Sequence, residues 1–558
     1  MADTKHYLRD PKTGKKIQLE TSEKGLTILV KEKDPVAIKK ALSKIEKIAL
    51  KASLRKISSR VYEIEYTNNP SDEEINEMIL RIRKEVKNVI PYNVYKAKDR
   101  YGLIYITDEI IVTFSAGTSA GSISRLTEKY NLNKIDEYVD DQLICVFAQK
   151  PGNWDNPIEV ANKMENEKGV EIAEPNLVHR LVNTARTPAR PRDNFFGKQW
   201  QLETGNQPNA SPNADINARD AWNRLNGGGD PDVVIAVVDF GFDLTHPDLV
   251  NKLVNINLDP FDFVERAVGV PKFPKPEILD HDHGTSCAGI AVAEKNGAGV
   301  VGIAFGCSLL PVCIPDSPES KELCRFFQAI RDKADVISCS FAPEFGTTAI
   351  TAALENLIEK MAKSGGRRGK GCVICFAAGN GNLPLDEVVT DPKFFVDGRP
   401  KTKIFTGRVI NPYASHKEVI AVAASTAKNK KAVYSNWGKE IWVCAPSDDI
   451  VAEDGRIIEP CITTTSSMGN LENNLYTDEF GGTSSAAPLV AGIAALVISA
   501  NPSLTAKEVK DIIKETADKI DPENNEAGKY DNKGHSIWYG FGKVNAGKAV
   551  KKALEMPA

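Results

Sequence analysis

Residues 233–238 are six consecutive apolar side chains, Val233, Val234, Ile235, Ala236, Val237 and Val238, and they run directly into an acid, Asp239. A run with no polar face reads as a strand buried on both sides, the pattern of a parallel sheet covered by helices above and below. Residues 372–378 repeat the pattern and lead to Asn380. Open sheets of this kind hold their sites beyond the carboxyl ends of the strands, which is where Asp239 and Asn380 fall. Two further segments carry small apolar residues suited to tightly packed buried helices: 286–293, directly after His283, Gly284 and Thr285, and 485–496, directly after Ser484. The expected class is α/β, a mostly parallel sheet flanked by helices.

The residues at these four places have complementary chemistry. A serine hydroxyl is a poor nucleophile near neutral pH, so an imidazole must take its proton and a buried carboxylate must hold that imidazole in the right tautomer. Asp239, His283 and Ser484 supply the three groups, and a helix start gives Ser484 the positive potential of unpaired amides. The Asn380 carboxamide supplies a donor to the oxyanion of a tetrahedral intermediate. Each has a bland reading alone: a strand-end cap, a structural histidine, a turn serine, a turn asparagine. Together, each in its own context, they point to hydrolysis by a serine nucleophile.

The order acid, histidine, amide, serine resembles that of the subtilisin-like proteases, the subtilase family, over roughly residues 195–550. The segments FFGKQWQL, HGTSCAG, ISCSFAP, GGTSSAAPLVAG, ISANPSLTAKEV and WYGFGKVNA resemble its kexin and proprotein-convertase branch. The resemblance implies catalytic roles for Asp239, His283 and Ser484, an oxyanion role for Asn380, and a protein or peptide substrate. It also implies that Ser340, Phe341 and Ala342 lie on an edge strand that pairs with extended substrate backbone. Members of that branch that cut after paired basic residues carry acids where this chain has Phe240 and Phe345. An apolar side chain leaves a desolvated lysine or arginine without a counter-charge, so Phe240 and Phe345 are the candidate specificity positions. Glu344, Asp386, Glu387 and Asp391 either compensate or form a solvated acidic loop. The β-rich carboxyl-terminal domain of that branch is not expected here.

Ahead of this core, residues 106–182 read as strand, helix, two strands, helix, strand, the split βαββαβ order of a ferredoxin-like fold. That resembles a subtilase propeptide, which assists folding and then occupies the cleft as an inhibitor; the other reading is an ordinary accessory domain. Residues 183–194 hold two prolines and three arginines without apolar periodicity, and read as an exposed linker and candidate processing site. Arg186, Arg190 and Arg192 are possible cut points, as are the small residues Ala185 and Ala189. Residues 1–105 form an α+β accessory module, with the lysine-rich stretch 31–56 read as the solvated face of an amphipathic helix. The catalytic domain is assigned to 195–558.

Composition limits the partners. A net charge of −4 over 558 residues gives no reason to expect nucleic acid or an anionic membrane surface. No uninterrupted apolar stretch reaches the span of about 20 residues that a bilayer needs, and the start lacks the apolar core of a secretory signal. Most of the ten cysteines sit within apolar runs and behave as small hydrophobes. The expectation is reduced thiols in a cytoplasmic protein. Cys372 and Cys375 form a CxxC inside a strand, without the second pair that a zinc site wants. Cys287, four residues after His283, should face the site, where a mercurial could block it. Calcium enters only through the resemblance, as a structural ion that the chemistry itself does not require. Asp243, Asp248, Asp259, Asp262, Asp280 and Asp282 are candidate oxygen donors, with no assignment among them. The resulting expectation is a serine endopeptidase made as an autoprocessed zymogen, against a peptide-binding pseudoprotease or a regulated interaction protein.

Overall fold

The computed structural model describes residues 6–557 apart from 10–15, 32–33, 50–51, 58–59, 67–69, 98–102, 140–142, 179–180, 183–194, 206–208, 255–280, 316, 344–349, 397–398, 403–405, 450–458, 468–474 and 525. The chain divides into two compact units. The first takes in residues 1–181 with 315–325 and 347–356; the second holds the remainder of 182–558.

The first unit is built on a nine-stranded sheet. In chain order its elements are β1 (Tyr7–Arg9), β2 (Lys16–Val30), α1 (Pro35–Ile48), β3 (Ala52–Lys56), β4 (Val61–Tyr66), α2 (Asp72–Glu85) and β5 (Val89–Ala97). They continue with β6 (Leu103–Phe114), α3 (Ala120–Lys129), β7 (Leu132–Val139), β8 (Leu143–Gln149), α4 (Pro157–Met164) and β9 (Val170–Val178). Helix α1 starts where the Asp34 carboxylate accepts from the Val36 and Ala37 amides, with Pro35 in the first turn. Helix α2 starts on a reciprocal capping box between Ser71 and Glu74.

Two expectations are corrected here. The stretch 31–56 is not one helix face: α1 ends at Ile48, and β3 pairs antiparallel with β4, placing Leu54 opposite Ile64. Ala52 and Leu54 share a two-residue period and pack on the apolar cluster around Ile64, which a strand satisfies and a helix does not. The boundary at residue 105 falls inside a single strand, because β6 pairs with β5 at Tyr95 and Lys96 and with β8 and β9 further along. Residues 1–105 and 106–182 therefore share one sheet. Within it β7, β8, β6 and β9 lie side by side, all antiparallel.

Segment 315–325 is tied into the first unit by charge. Arg60 grips Glu319 through Nε and Nη2 at 2.5 and 2.7 Å and reaches Glu109 at 2.8 Å. The buried Asn176 donates to both carboxylates, at 2.7 Å to Glu319 and 2.9 Å to Glu109. Lys321 adds a second cation against Glu109. Removing one member of such a cluster strands an unpaired buried charge, which costs more than the pair itself contributes.

The second unit carries the parallel sheet that residues 233–238 predict. Its strands are β10 (Val234–Asp239), β11 (Ser308–Cys313), β12 (Val336–Cys339), β13 (Val373–Ala377), β14 (Ile420–Ser425) and β15 (Ile441–Pro446), in the order β11-β10-β12-β13-β14-β15. Every pairing is parallel. Strand order reverses at β10, so a crevice opens beyond the carboxyl ends of β10 and β12. Two helices fix the site: α5 (His281–Val292) and α6 (Thr483–Ala500). Helix α6 is apolar all round and packs into the main core with the sheet. Glycines let α5 sit close against its neighbours. A Cβ on Gly284 would lie 2.2 Å from the Gly241 carbonyl oxygen, and one on Gly289 would lie 2.0 Å from Thr465 Oγ1. All ten cysteines are buried, and none is in a disulfide.

Candidate active site

Asp239 is the last residue of β10 and His283 lies in the first turn of α5, both buried. The imidazole Nδ1 donates to Asp239 Oδ1 at 2.7 Å, and the same oxygen accepts the Phe240 amide at 2.8 Å. Those two bonds fix the carboxylate and the tautomer, leaving Nε2 as the basic nitrogen. Nε2 has no hydrogen-bond partner among the described residues. The imidazole is flanked by Phe480 and Phe240, with ring centroids 5.5 and 6.3 Å away, so bulk water is kept from it.

Ser484 is the second residue of α6. Its hydroxyl donates to the Ser340 carbonyl oxygen at 3.2 Å, so the bond to His283 is not formed in this state. Catalytic hydrogen bonds are often loose without substrate and tighten in the Michaelis complex. The Ser484 carbonyl is placed by a less obvious device. In a regular helix it would accept the amide of residue 488, but that residue is Pro488, which has none. Two side chains take over: Ser340 Oγ donates to it at 3.0 Å and the Cys287 thiol approaches at 3.6 Å. Cys287 also lies 3.9 Å from His283 Nδ1. Burial, and then the charge on Asp239, push its thiol well above the ordinary value. Near neutral pH this favours the thiol form, which acts as a weak donor.

Asn380 follows β13, and its carboxamide oxygen accepts from both the amide and the hydroxyl of Thr483, at 2.9 and 2.7 Å. Thr483 Oγ1 in turn accepts the Gly379 amide at 3.0 Å. The residue before the nucleophile thus orients the carboxamide, and its other end is an N–H donor. The Ser484 backbone amide belongs to the first turn of α6, at the positive end of the helix.

The structure brings Asp239, His283, Ser484 and Ser340 together and links Asn380 to them through Thr483. The edge strand expected at residues 340–342 is met in part. β12 ends at Cys339 in the interior of the sheet, Ser340 and Phe341 lie outside any strand, and only Ala342 enters a separate two-residue strand, Ala342–Pro343. Phe341 is a core residue, 5.3 Å from Phe376 and 6.0 Å from Tyr413 between ring centroids. Phe240 is buried against Phe341 and His283, with no carboxylate in its place. Phe345 and Glu344 lie outside the described residues. Asp386 pairs with Arg408 at 2.6 Å, which removes it as a free counter-charge. Asp259, Asp262 and Asp280 also lie outside the described residues. Sequence reasoning missed the tasks of Ser340 and Thr483 beside Ser484; Pro488, a proline five residues into a helix, was the available signal for the first.

A buried acid–imidazole pair and a helix-start serine at the carboxyl edge of an open parallel sheet form one hydrolase-type constellation. The profile of the Subtilase family matches residues 230–542, and the chain belongs to that family. It is 33% identical over 479 residues to the Calcium-dependent protease of Nostoc sp., an alignment covering 81% of this chain and 64% of that protein. The chain thus spans under two-thirds of that relative's length. Similarity to the Dibasic-processing endoprotease of Schizosaccharomyces pombe is 30% over 378 residues, 65% of this chain and 46% of that one. Among solved structures, fervidolysin from Fervidobacterium pennivorans superposes with a TM-score of 0.53 at 18% identity, covering 81% of this chain and 62% of the other, a likeness of fold.

Proposed function

We propose that this protein is a serine endopeptidase made as a zymogen. The observation that carries the reading is the buried Asp239–His283 pair, its basic Nε2 left for the proton of Ser484. His283 Nε2 takes the Ser484 proton as Oγ attacks the peptide carbonyl. The Asn380 amide and the Ser484 backbone amide receive the oxyanion, and the proton then passes to the leaving amine. Water repeats the sequence on the acyl-enzyme and regenerates Ser484. A fluorophosphonate probe should label the native protein at Ser484, located by peptide mass spectrometry, because only an activated serine reacts. Absence of labelling would favour the peptide-binding pseudoprotease.

The prosegment in this reading is the region ahead of the linker. Its propeptide-like part is residues 106–182, supported by the antiparallel order β7-β8-β6-β9 over helices α3 and α4, the order of a split βαββαβ fold, and it is joined through β6 to residues 1–105 in one sheet. Self-cleavage is assigned to 183–194. The substrate is protein or peptide. The apolar surroundings of Phe240 argue against a requirement for paired basic residues.

Calcium is proposed as a structural ion. Asp248 is fully buried, and no basic side chain pairs with it among the described residues. Its oxygens accept from Asn296 Nδ2 at 2.9 Å and the Val300 amide at 3.1 Å. Neighbouring His246 offers no counter-charge: its Nδ1 accepts the Asp248 amide at 3.0 Å, and burial holds its pKa below the ordinary value. A buried carboxylate beside a carboxamide fits a hard cation. Of the other candidates, Asp243 caps the turn at Thr245. A calcium chelator should lower Tm by several degrees, and Asp248→Asn should remove that response; an unmoved wild-type Tm would sink the assignment.

A further inference from the structure

Asn380 can receive an oxyanion only if its loop is held still, and the loop has little regular bonding of its own. Gly379 at φ +104° and Asn382 at φ +52° both lie in the left-handed region, so the amides and carbonyls around Asn380 turn away from any sheet. Asn436, buried and distant in sequence, meets them. Its Oδ1 accepts the amides of Gly381 at 3.0 Å and Leu383 at 2.8 Å. Its Nδ2 donates to the Ala378 carbonyl at 2.9 Å, and its own backbone amide donates to the Gly379 carbonyl at 2.9 Å. One residue therefore satisfies four backbone groups, two before Asn380 and two after it. The fit is close: a Cβ on Gly379 would lie 2.6 Å from Asn436 Nδ2.

We infer that Asn436 is a positioning residue for catalysis, holding the Asn380 loop so that the carboxamide donor meets the oxyanion; the inference rests on the role proposed for Asn380. Neighbours of Asn436 extend the support. The Trp437 amide donates to the Leu383 carbonyl at 3.0 Å, and the Trp437 indole donates to the Asn382 carbonyl at 3.1 Å. Lys431 Nζ holds Asn382 Oδ1 at 3.0 Å. Those bonds all lie after Asn380. Asn436 alone in this segment reaches both sides; Asn411 donates its side chain to Ala378 at 3.2 Å and its backbone amide to Leu385 at 2.8 Å, but makes no bond to residues 379–383. Once they lose their acceptor, the half-buried amide of Gly381 and the buried amide of Leu383 will seek another, and the loop shifts as they do. A displacement of about 1 Å at such a donor costs on the order of a hundred-fold in rate.

The test is a double-mutant cycle on the full-length protein with a fluorogenic peptide, kcat being taken per fluorophosphonate-titrated serine so that misfolded protein does not count. Asn436→Ala should lower kcat by about 10- to 100-fold with KM changed by less than about three-fold. In an Asn380→Ala background the same change should cost less than about three-fold, since the donor it positions has gone. Asn436→Asp, which keeps the acceptor, should retain more activity than Asn436→Ala. Equal losses in both backgrounds, or an effect confined to KM, would overturn the inference and leave Asn436 merely structural. If alanine prevents folding, Asn436→Ser, too short to span both sides, takes its place. The reading of Asn380 fails separately, on an unchanged kcat for Asn380→Ala alone.

Discussion

Replacing His283 or Ser484 by alanine is expected to lower kcat by about a million-fold, and replacing both should cost no more than either. The non-additivity follows from the chemistry. Without the imidazole the Ser484 hydroxyl keeps its proton, and without the hydroxyl the imidazole has nothing to activate, so each change removes the same step. Residual hydrolysis of about a thousand-fold over water should remain, from the oxyanion donors and substrate placement. Both variants should also accumulate as the intact 558-residue chain. In the wild type, a cut within 183–194 should separate the prosegment from the catalytic core. Progress curves with a peptide substrate read the first quantity; intact-mass spectrometry of freshly expressed protein reads the second. Substantial hydrolysis by Ser484→Ala, or its processing at the wild-type rate, would require a different nucleophile.

Local signals made the parallel sheet and its chemistry legible. The apolar stretch before Asp239 and the one before Asn380 became β10 and β13, and their carboxyl ends became the site. Small residues after His283 and Ser484 announced two tightly packed helices, and Gly284 and Gly289 show how closely the first of them sits against the Asp239–Phe242 turn and against Thr464 and Thr465. What escaped the sequence was non-local. The hydroxyl of Ser340 replaces an amide that Pro488 lacks, across a separation of 144 residues between Ser340 and Ser484. Asn436 acts across 53 to 58 residues on the Asn380 loop. Neither leaves a periodic trace, because each is a polar side chain meeting backbone whose path the fold decides. The same holds for Arg60 and Glu319, 259 residues apart, which help place segment 315–325 in the first unit. The ring of Phe341 fills an aromatic cluster in the core, a packing role that its motif did not announce.

Replacing Asp239 by alanine is expected to lower kcat by about ten-thousand-fold, whereas Asp239→Asn should lose only about a hundred- to a thousand-fold. The distinction comes from one oxygen. Where asparagine replaces a catalytic aspartate, the damage is greatest when the new amide faces the imidazole and forces the wrong tautomer, at a cost of about ten-thousand-fold. Here Oδ1 accepts both the Phe240 amide and His283 Nδ1–H, while Oδ2 makes no hydrogen bond among the described residues. The Phe240 amide needs an acceptor at the Oδ1 position, so an asparagine there is pinned with its carbonyl toward His283. Its NH2 group then occupies the Oδ2 position. Imidazole orientation and tautomer survive, and what is lost is the negative charge that stabilises the imidazolium in the transition state, together with the burial of an unsatisfied amide. Alanine removes the acceptor as well and frees the ring to turn. Measured kcat values for the two variants, each at saturating peptide, decide the matter: equal losses would mean that the carboxamide has flipped and that the Phe240 amide does not hold it.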